Sequence, residues 1–582
     1  MKKLYLMLSM LFAFGIAANA VPAKKLQKVI TLTNGTQVSV ELRGDEYLSW
    51  WEGTDGTAYR ATADDAVFEA FDLEAQKPAA AARRARAEQG RVARLARVKN
   101  SLKGADDKMR GLGGDHITYK GVKKGLVVLV DFKNKKFADG HDLEYYKNVI
   151  NGKDFSDEEE GYVGSVRDYF LAQSNGQFEL DFDVVGPVTM SKNYGYYGND
   201  GAYQKDEKVY EMIKEACDGI QDKVNLKDYD WDGDGEADQV FFLYAGLGQA
   251  SGGSHSTIWP HESELRYWPC GVLSYSTGKI NTYACANELQ PETQGSSRYI
   301  SAGIGTICHE FSHCLGFADM YDTTGGGGYG MSVFDVMDQG SYNGNGFVPC
   351  NYTAFERIYA GWVEPIELID PATVKDMKSV SDYGRPFIMY NYKNTNEYFL
   401  LENRQNTGWD EGLYGSNGLL IVHVNYVPSR WANNSVNSSA EKIQCCTVVN
   451  ADGSRDNTQY SLQGDLYPYE VKGVTMNDEF TDESEPAAKL YTKNSDNSYA
   501  LGIPITQIKR SKGSISFLVC GGDANNVIDN TFNGVVDGIN GVTVADKTRD
   551  NRIYSIDGRY LGTDASALGK GIYVVGGKKV VK

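Results

Sequence analysis

The sequence predicts a multidomain chain in which an α/β (α+β) domain stands between a β-rich N-terminal segment and a C-terminal β-sandwich-like domain. Three observations carry this. Continuous apolar runs of strand length at residues 126–132 and 240–245 suit buried central strands, and they interleave with helical spacing over 163–171 and 206–217. After about Trp362 the texture changes to short strands separated by Asn, Gly and Asp, as at 398–402, 418–424 and 514–519. Ahead of the first run, strand-like segments such as 37–42 are divided by Asn34-Gly35 and Asp55-Gly56 turns.

The elements follow in order. Residues 1–20 carry Lys2 and Lys3, an apolar run from Leu4 to Ala18, and Ala18-Asn19-Ala20 before Val21-Pro22. This is the pattern of a signal peptide cut after Ala20, and its apolar run is shorter than the roughly 20 residues a membrane span needs. The expected location is therefore secreted or cell-surface. Residues 21–112 form a β-rich prosegment that ends in an Arg-rich linker, with Arg83, Arg84, Arg86, Arg91, Arg94 and Arg97 in a helix-prone run. Such a run reads as a solvated helical linker and also as a place where trypsin-like proteases cut. Residues 113–365 hold the α/β domain, 366–520 the β-sandwich-like domain, and 521–582 a Gly/Asn-rich linker with a small terminal unit that closes as strand, Gly576-Gly577 turn, strand.

Composition narrows the function. The 582 residues include 59 Lys+Arg against 77 Asp+Glu, a net charge of −18, which argues against a nucleic-acid partner, since phosphate binding rests on clustered cations. The mean hydropathy of −0.42 excludes a polytopic membrane protein, and no membrane span is expected in the mature chain. Nine cysteines are too few for a disulfide scaffold, so the cores must come from packing.

The segment from Thr306 to Asp322 contains H-E-x-x-H-x-x-G-x-x-D. Histidines four apart lie on one helical face, so His309 and His313 can converge on one Zn²⁺, with Glu310 beside the place of a bound water. Zinc lowers the pKa of that water to about 7, and Glu310 as general base can take its proton and pass it to the leaving amine. Gly316 permits a left-handed turn that returns the chain and brings Asp319 to the metal. Asp322, three residues on, and Glu356 on a downstream helix are the alternatives for the third ligand. Met337, 24 residues after His313, is similar to the Met-turn of metzincins.

With Gly164-Ser165-Val166-Arg167-Asp168-Tyr169-Phe170, Val185-Gly186-Pro187-Val188, Thr257-Ile258-Trp259-Pro260-His261 and Leu401-Glu402-Asn403-Arg404-Gln405, these residues resemble the immune inhibitor A-like family of secreted zinc metalloproteases over about residues 125–519. The resemblance implies a metzincin-like catalytic domain, zinc on His309, His313 and Asp319, and Glu310 as the base. It implies an endopeptidase acting on protein or peptide substrates. His261 and Tyr342 fall near the expected cleft, with packing the simpler role for His261. Cys308 and Cys314 lie on helix faces away from the histidines and read as core. A non-enzymatic adhesin or glycan-binding protein with an inert protease-like domain is the rival class, and the intact Glu310 separates the two.

Four further expectations follow. Asp230, Asp232, Asp234, Glu236 (through its carbonyl) and Asp238 match the start of an EF-hand-type calcium loop, although Phe241 stands at position 12 in place of Glu. Cys270 and Cys285 are symmetric about Thr277-Gly278, so a hairpin turn there sets them opposite and an exported chain can oxidise the pair. The terminal segment, with Tyr554-Ser555-Ile556-Asp557-Gly558-Arg559 and Gly571-Ile572-Tyr573-Val574, resembles the sorting tails of type IX secretion cargo, which makes that machinery an expected partner. Finally, the prosegment is expected to keep a zymogen silent. No cysteine precedes Cys217, so a prosegment thiolate cannot cap the metal, and Asp115 or His116 is an available ligand beside plain steric cover.

Overall fold

The structure is a computed structural model. It describes residues 18–19, 21–101 and 119–532, apart from 63, 201–204, 239, 294–295, 325–327, 414–416, 439–442 and 456–458, together with short strands between 535 and 581. Most of the signal-peptide run, and Asp115 and His116, lie outside the described residues. Among the described residues no helix is long and apolar enough to cross a membrane.

A two-residue strand, β1 (Ala18–Asn19), leads to five strands that close into a small barrel: β2 (Gln27–Leu32), β3 (Gln37–Gly44), β4 (Ser49–Gly53), β5 (Ala58–Ala61) and β6 (Val67–Ala70). Ile30, Val40, Tyr59 and Phe68 fill it. The predicted Asn-Gly and Asp-Gly turns are present. The Ala/Arg run forms the helix α1 (Leu73–Ser101), but it is more than a solvated linker. Arg84 pairs with Asp45 at 2.5 Å, Arg83 donates to the Tyr47 carbonyl, and Arg91, 4% exposed, donates to the Gly316 carbonyl at 2.8 Å. Charge counting could not show this, because the carbonyls and carboxylate that bind these guanidinium groups come from distant segments.

The central domain contains β7 (Gly121–Asp131), α2 (Leu143–Asn151), α3 (Val166–Gln173), β8 (Phe178–Thr189), α4 (Tyr194–Tyr197), α5 (Val209–Ile220), β9 (Val240–Leu247), β10 (His261–Glu264), β11 (Leu273–Tyr275), β12 (Gly278–Ile280), β13 (Thr282–Pro291), β14 (Tyr299–Ser301), α6 (Gly305–Cys314) and α7 (Ala354–Tyr359). Its sheet runs β1-β10-β13-β9-β7-β8, with β14 on β13. The inner strands pair in parallel and β10 is antiparallel. Both faces of the sheet are buried, which explains the uninterrupted apolar runs. Val127, Leu129, Phe241 and Leu243 pack with α2, α3 and α6, while Leu126, Val128, Phe242 and Tyr244 pack with α5 on the other side. β1 adds to the open edge of β10, Asn19 opposite Glu262.

Beyond it come β15 (Ile366–Glu367), β16 (Ala372–Met377), β17 (Phe387–Tyr390), β18 (Glu397–Arg404), β19 (Gly418–Asn425), the helix α8 (Pro428–Ala432), β20 (Cys446–Val448), the hairpin β21 (Tyr469–Val471) with β22 (Val474–Asn477), β23 (Ile505–Ser511), β24 (Ser514–Val519) and β25 (Val527–Ile528). A five-stranded sheet, β15-β17-β18-β19-β20, and a four-stranded one, β23-β24-β16-β25, share a core of Phe387, Met389, Phe399, Leu401, Phe517 and Val519. The alternate residues of the larger sheet, Ile388, Tyr390, Tyr398, Leu400, Leu420, Val422 and Val424, join the core of the central domain. The tail forms strands at 553–555, 560–562, 572–575 and 578–581, the last two paired as the sequence predicts.

The Cys270–Cys285 pairing is not formed. The hairpin register pairs Tyr275 with Gly278, two residues away from the symmetry assumed, and β13 carries Cys285 into the central sheet opposite His261 and Phe242. Both are free thiols.

Candidate metal centre

The helix α6 carries the H-E-x-x-H segment. Its start is wedged against the loop after Met337, where a Cβ on Gly305 would lie 1.8 Å from the Ser341 carbonyl oxygen, so only glycine lets the two backbones approach. Past the C-terminus of α6, Gly316 adopts φ 90°, the left-handed turn the sequence predicts, and returns the chain toward the histidines. His309, His313 and Asp319 are 0%, 0% and 1% exposed.

Three ligand atoms meet. His309 Nε2 and His313 Nε2 are 3.2 Å apart, and Asp319 Oδ1 lies 3.2 Å and 3.3 Å from them. Bonds of about 2.0 Å at tetrahedral angles put ligand atoms about 3.3 Å from one another, so the triangle has the edges of a zinc site. His309 Nδ1 donates to the Val336 carbonyl at 2.7 Å and His313 Nδ1 to the Phe317 carbonyl at 2.9 Å. These bonds leave both Nε2 atoms as lone-pair acceptors facing a carboxylate oxygen that has no hydrogen-bond donor. Three buried acceptors without a proton among them call for a cation. Burial opposes charge on Asp319, but the neighbouring imidazoles, when a proton on them takes the place of the metal ion, hold its carboxyl below the usual range through charge and hydrogen bonding. Of the alternatives, Glu356 bonds Thr353, and Asp322 bonds Thr324 and the Gly328 amide, so neither joins the triangle.

Met337 is wholly buried. Its amide donates to Asp335 Oδ1, and its carbonyl accepts from the Met320 amide, one residue past Asp319. Cys308 and Cys314 stay outside the ligand group, as expected. His261 is spent on structure: its ring meets the Trp259 carbonyl at 2.7 Å and the Tyr283 hydroxyl at 2.9 Å, and burial lowers its pKa to about 4.

Glu310 is fully buried. Its Oε1 accepts the Val21 amide at 2.7 Å, while Oε2 has no partner. Burial raises its carboxyl well above the usual range against the Val21 bond, with the charges of Asp319 and Glu262 adding to the rise. Trp259 Nε1 donates to the Val21 carbonyl at 3.1 Å and the Tyr342 hydroxyl to the Pro22 carbonyl at 2.7 Å. Val21 and Ala23 pack with Ala250, Trp259 and Tyr342. The segment Val21–Ala23 therefore lies across the site. Trp259 stood in a segment that carried the family resemblance without a stated role, and no motif announced Val21 or Asn434 as site residues; Asn434 holds Asp319 from the β-rich domain.

A second group forms from Asp230, Asp232 and Asp238, whose oxygens lie within 4.8 Å of one another. Asp234, whose carboxylate accepts the Glu236 amide, is not in this group, and the Glu236 side chain, which is not its predicted ligand atom, pairs with Arg266.

Residues 120–363 match the family model described as immune inhibitor A peptidase M6, catalytic domain. This stretch of the chain is similar to a peptidase M6 catalytic domain. Among similar proteins, Pre-pro-metalloprotease PrtV of Vibrio cholerae serotype O1 is 28% identical over 269 residues, which cover 39% of this chain and 28% of that protein. Immune inhibitor A of Bacillus thuringiensis subsp. alesti is 26% identical over 319 residues, 45% of each chain. The chain spans less than half the length of these relatives. The M6 match contains His309, Glu310, His313, Asp319 and Met337, whereas Val21, Arg91 and Asn434 reach the site from outside it.

Proposed function

We propose that the protein is a secreted zinc endopeptidase made as a zymogen, with His309, His313 and Asp319 holding the metal and Glu310 acting as base. The observation that carries this is the ligand triangle with a buried carboxylate beside it. Bound zinc supplies Lewis-acid polarisation of the scissile carbonyl and acidification of water. Glu310 accepts a proton and returns it to the leaving nitrogen. The Val21 amide, 2.7 Å from Oε1, supports this reading, since it shows that a backbone nitrogen in the cleft can reach the carboxylate. Trp259 Nε1 and the Tyr342 hydroxyl bind the next two carbonyls of the chain that occupies the cleft, Val21 and Pro22 here and a substrate after activation.

Cleavage after Ala20 gives Val21 an α-amino group, which the described geometry sets against the Glu310 carboxylate. That contact and the packing of Val21 and Ala23 support latency by the first residues of the prosegment, and a cut between Arg83 and Arg110 would release them with the barrel. Asp230, Asp232 and Asp238 are proposed to bind a structural calcium. The tail is proposed to serve a type IX-like secretion machinery.

The matured protein should cleave a peptide library, lose this activity to a zinc chelator and regain it with zinc. New termini read by mass spectrometry give the cleavage sites, and an absence of cleavage from matured, zinc-loaded protein would reject the reading.

A further inference from the structure

The carboxylate of Asp319 is held at both ends. Oδ1 faces the two histidines, and Oδ2 accepts a hydrogen bond from Asn434 Nδ2 at 2.5 Å. The same side chain accepts the Asp319 backbone amide through Oδ1 at 2.6 Å. One amide thus reads the backbone and the carboxylate of one residue across 115 positions of sequence. Asn434 is 6% exposed and sits at φ 51°, a left-handed backbone that favours Asn and Gly.

The loop carrying it is fixed from three sides. Trp431 packs on Phe355 and Tyr426. Asn437 Nδ2 donates to the Met320 and Cys446 carbonyls. Thr323 joins the Asn434 carbonyl and the Ser438 hydroxyl.

We propose that Asn434 is a positioning residue for the metal ligand Asp319, so that the metal centre is completed by the β-rich domain and is incomplete within residues 120–363. The inference rests on reading His309, His313 and Asp319 as a metal site. With Oδ2 occupied by a donor, Asp319 is presented through Oδ1 alone, and its rotamer is set before metal arrives. Partners of this kind change metal affinity by about tenfold to a hundredfold when removed.

The test is the zinc dissociation constant of the full chain from Val21, measured by chelator competition, with the Co²⁺ absorption spectrum as a second readout. Asn434→Gly keeps the positive φ and removes the amide, and Asn434→Asp keeps the shape and removes the donor. Both should weaken zinc binding about tenfold to a hundredfold and alter the Co²⁺ bands. In an Asp319→Ala background the Asn434→Gly change should have no further effect on the residual affinity. Affinities within twofold of the parent in Asn434→Gly and Asn434→Asp, or an undiminished loss in the Asp319→Ala background, would overturn the proposal. A parent chain that binds no zinc would instead overturn the reading of the site itself.

Discussion

At the scale of single residues, the histidines and Glu310 were legible because their spacing is local: residues four apart on a helix must share a face. Asp319 needed one more step, the left-handed Gly316, and the structure makes that turn. The acidic loop shows what spacing leaves out. Its carboxylates alternate along the sequence, yet the fold gathers Asp230, Asp232 and Asp238 and leaves Asp234 out of the group. Burial raises the Asp238 carboxyl to about 7 against the Trp231 amide that bonds it, and the charges of Asp232, Asp234 and Asp230 add to the rise. An acid with a raised folded pKa binds its proton more tightly in the native state. Its contribution to stability is therefore full below the unfolded value near 4 and is lost as pH rises through about 7. A bound cation removes that loss. With zinc saturated and calcium chelated, the melting temperature should fall between pH 5 and pH 8, calcium should restore it at pH 8 far more than at pH 5, and Asp238→Asn should flatten the pH dependence. A melting curve indifferent to calcium at pH 8 would leave the loop an acidic turn.

At the scale of elements, strands and helices of the central domain were readable wherever one period ran unbroken, as in β7 and β9, whose residues are buried on both faces. The hairpin β11–β12 was harder. Its register depends on which two residues turn, and a shift of two positions separated Cys270 from Cys285. The arginine helix was legible as a helix but not as a docked one. Arg91 reaches the Gly316 carbonyl at the turn after α6, so the N-terminal segment meets the site from its helix as well as from Val21. Latency should belong to the short first segment, since Val21 and Pro22 bear the contacts with Glu310, Trp259 and Tyr342. A chain beginning at Lys28, with the barrel and α1 retained, should hydrolyse peptides at least about tenfold faster than one beginning at Val21, because a tethered blocking segment acts at millimolar effective concentration. Equal rates would assign the silencing to the barrel and helix.

At the scale of the whole molecule, the central domain is contacted by the N-terminal segment through Val21 and Arg91 and by the β-rich domain through its five-stranded sheet. Seven large side chains of that sheet, from Ile388 to Val424, are buried against the central domain. At about 1.5–3 kcal/mol each, their gross contribution rivals the net stability of an ordinary domain. The Leu401-Glu402-Asn403-Arg404-Gln405 segment gains a physical reason here. Arg404, wholly buried between Glu402 and Asp410, donates to the Phe334 carbonyl in the loop leading to Met337. Such long-range pairings leave no periodic trace in sequence, which is why the sequence reading of the β-rich domain did not include the Asn434 contacts with Asp319. The central claim is that this assembly presents a zinc site with Glu310 as its base, and the most direct measurement is peptide hydrolysis by matured Glu310→Ala with its zinc content determined on the same sample. The account predicts one zinc per chain and a loss of at least about a hundredfold in kcat/KM. Full activity at full zinc occupancy would contradict it.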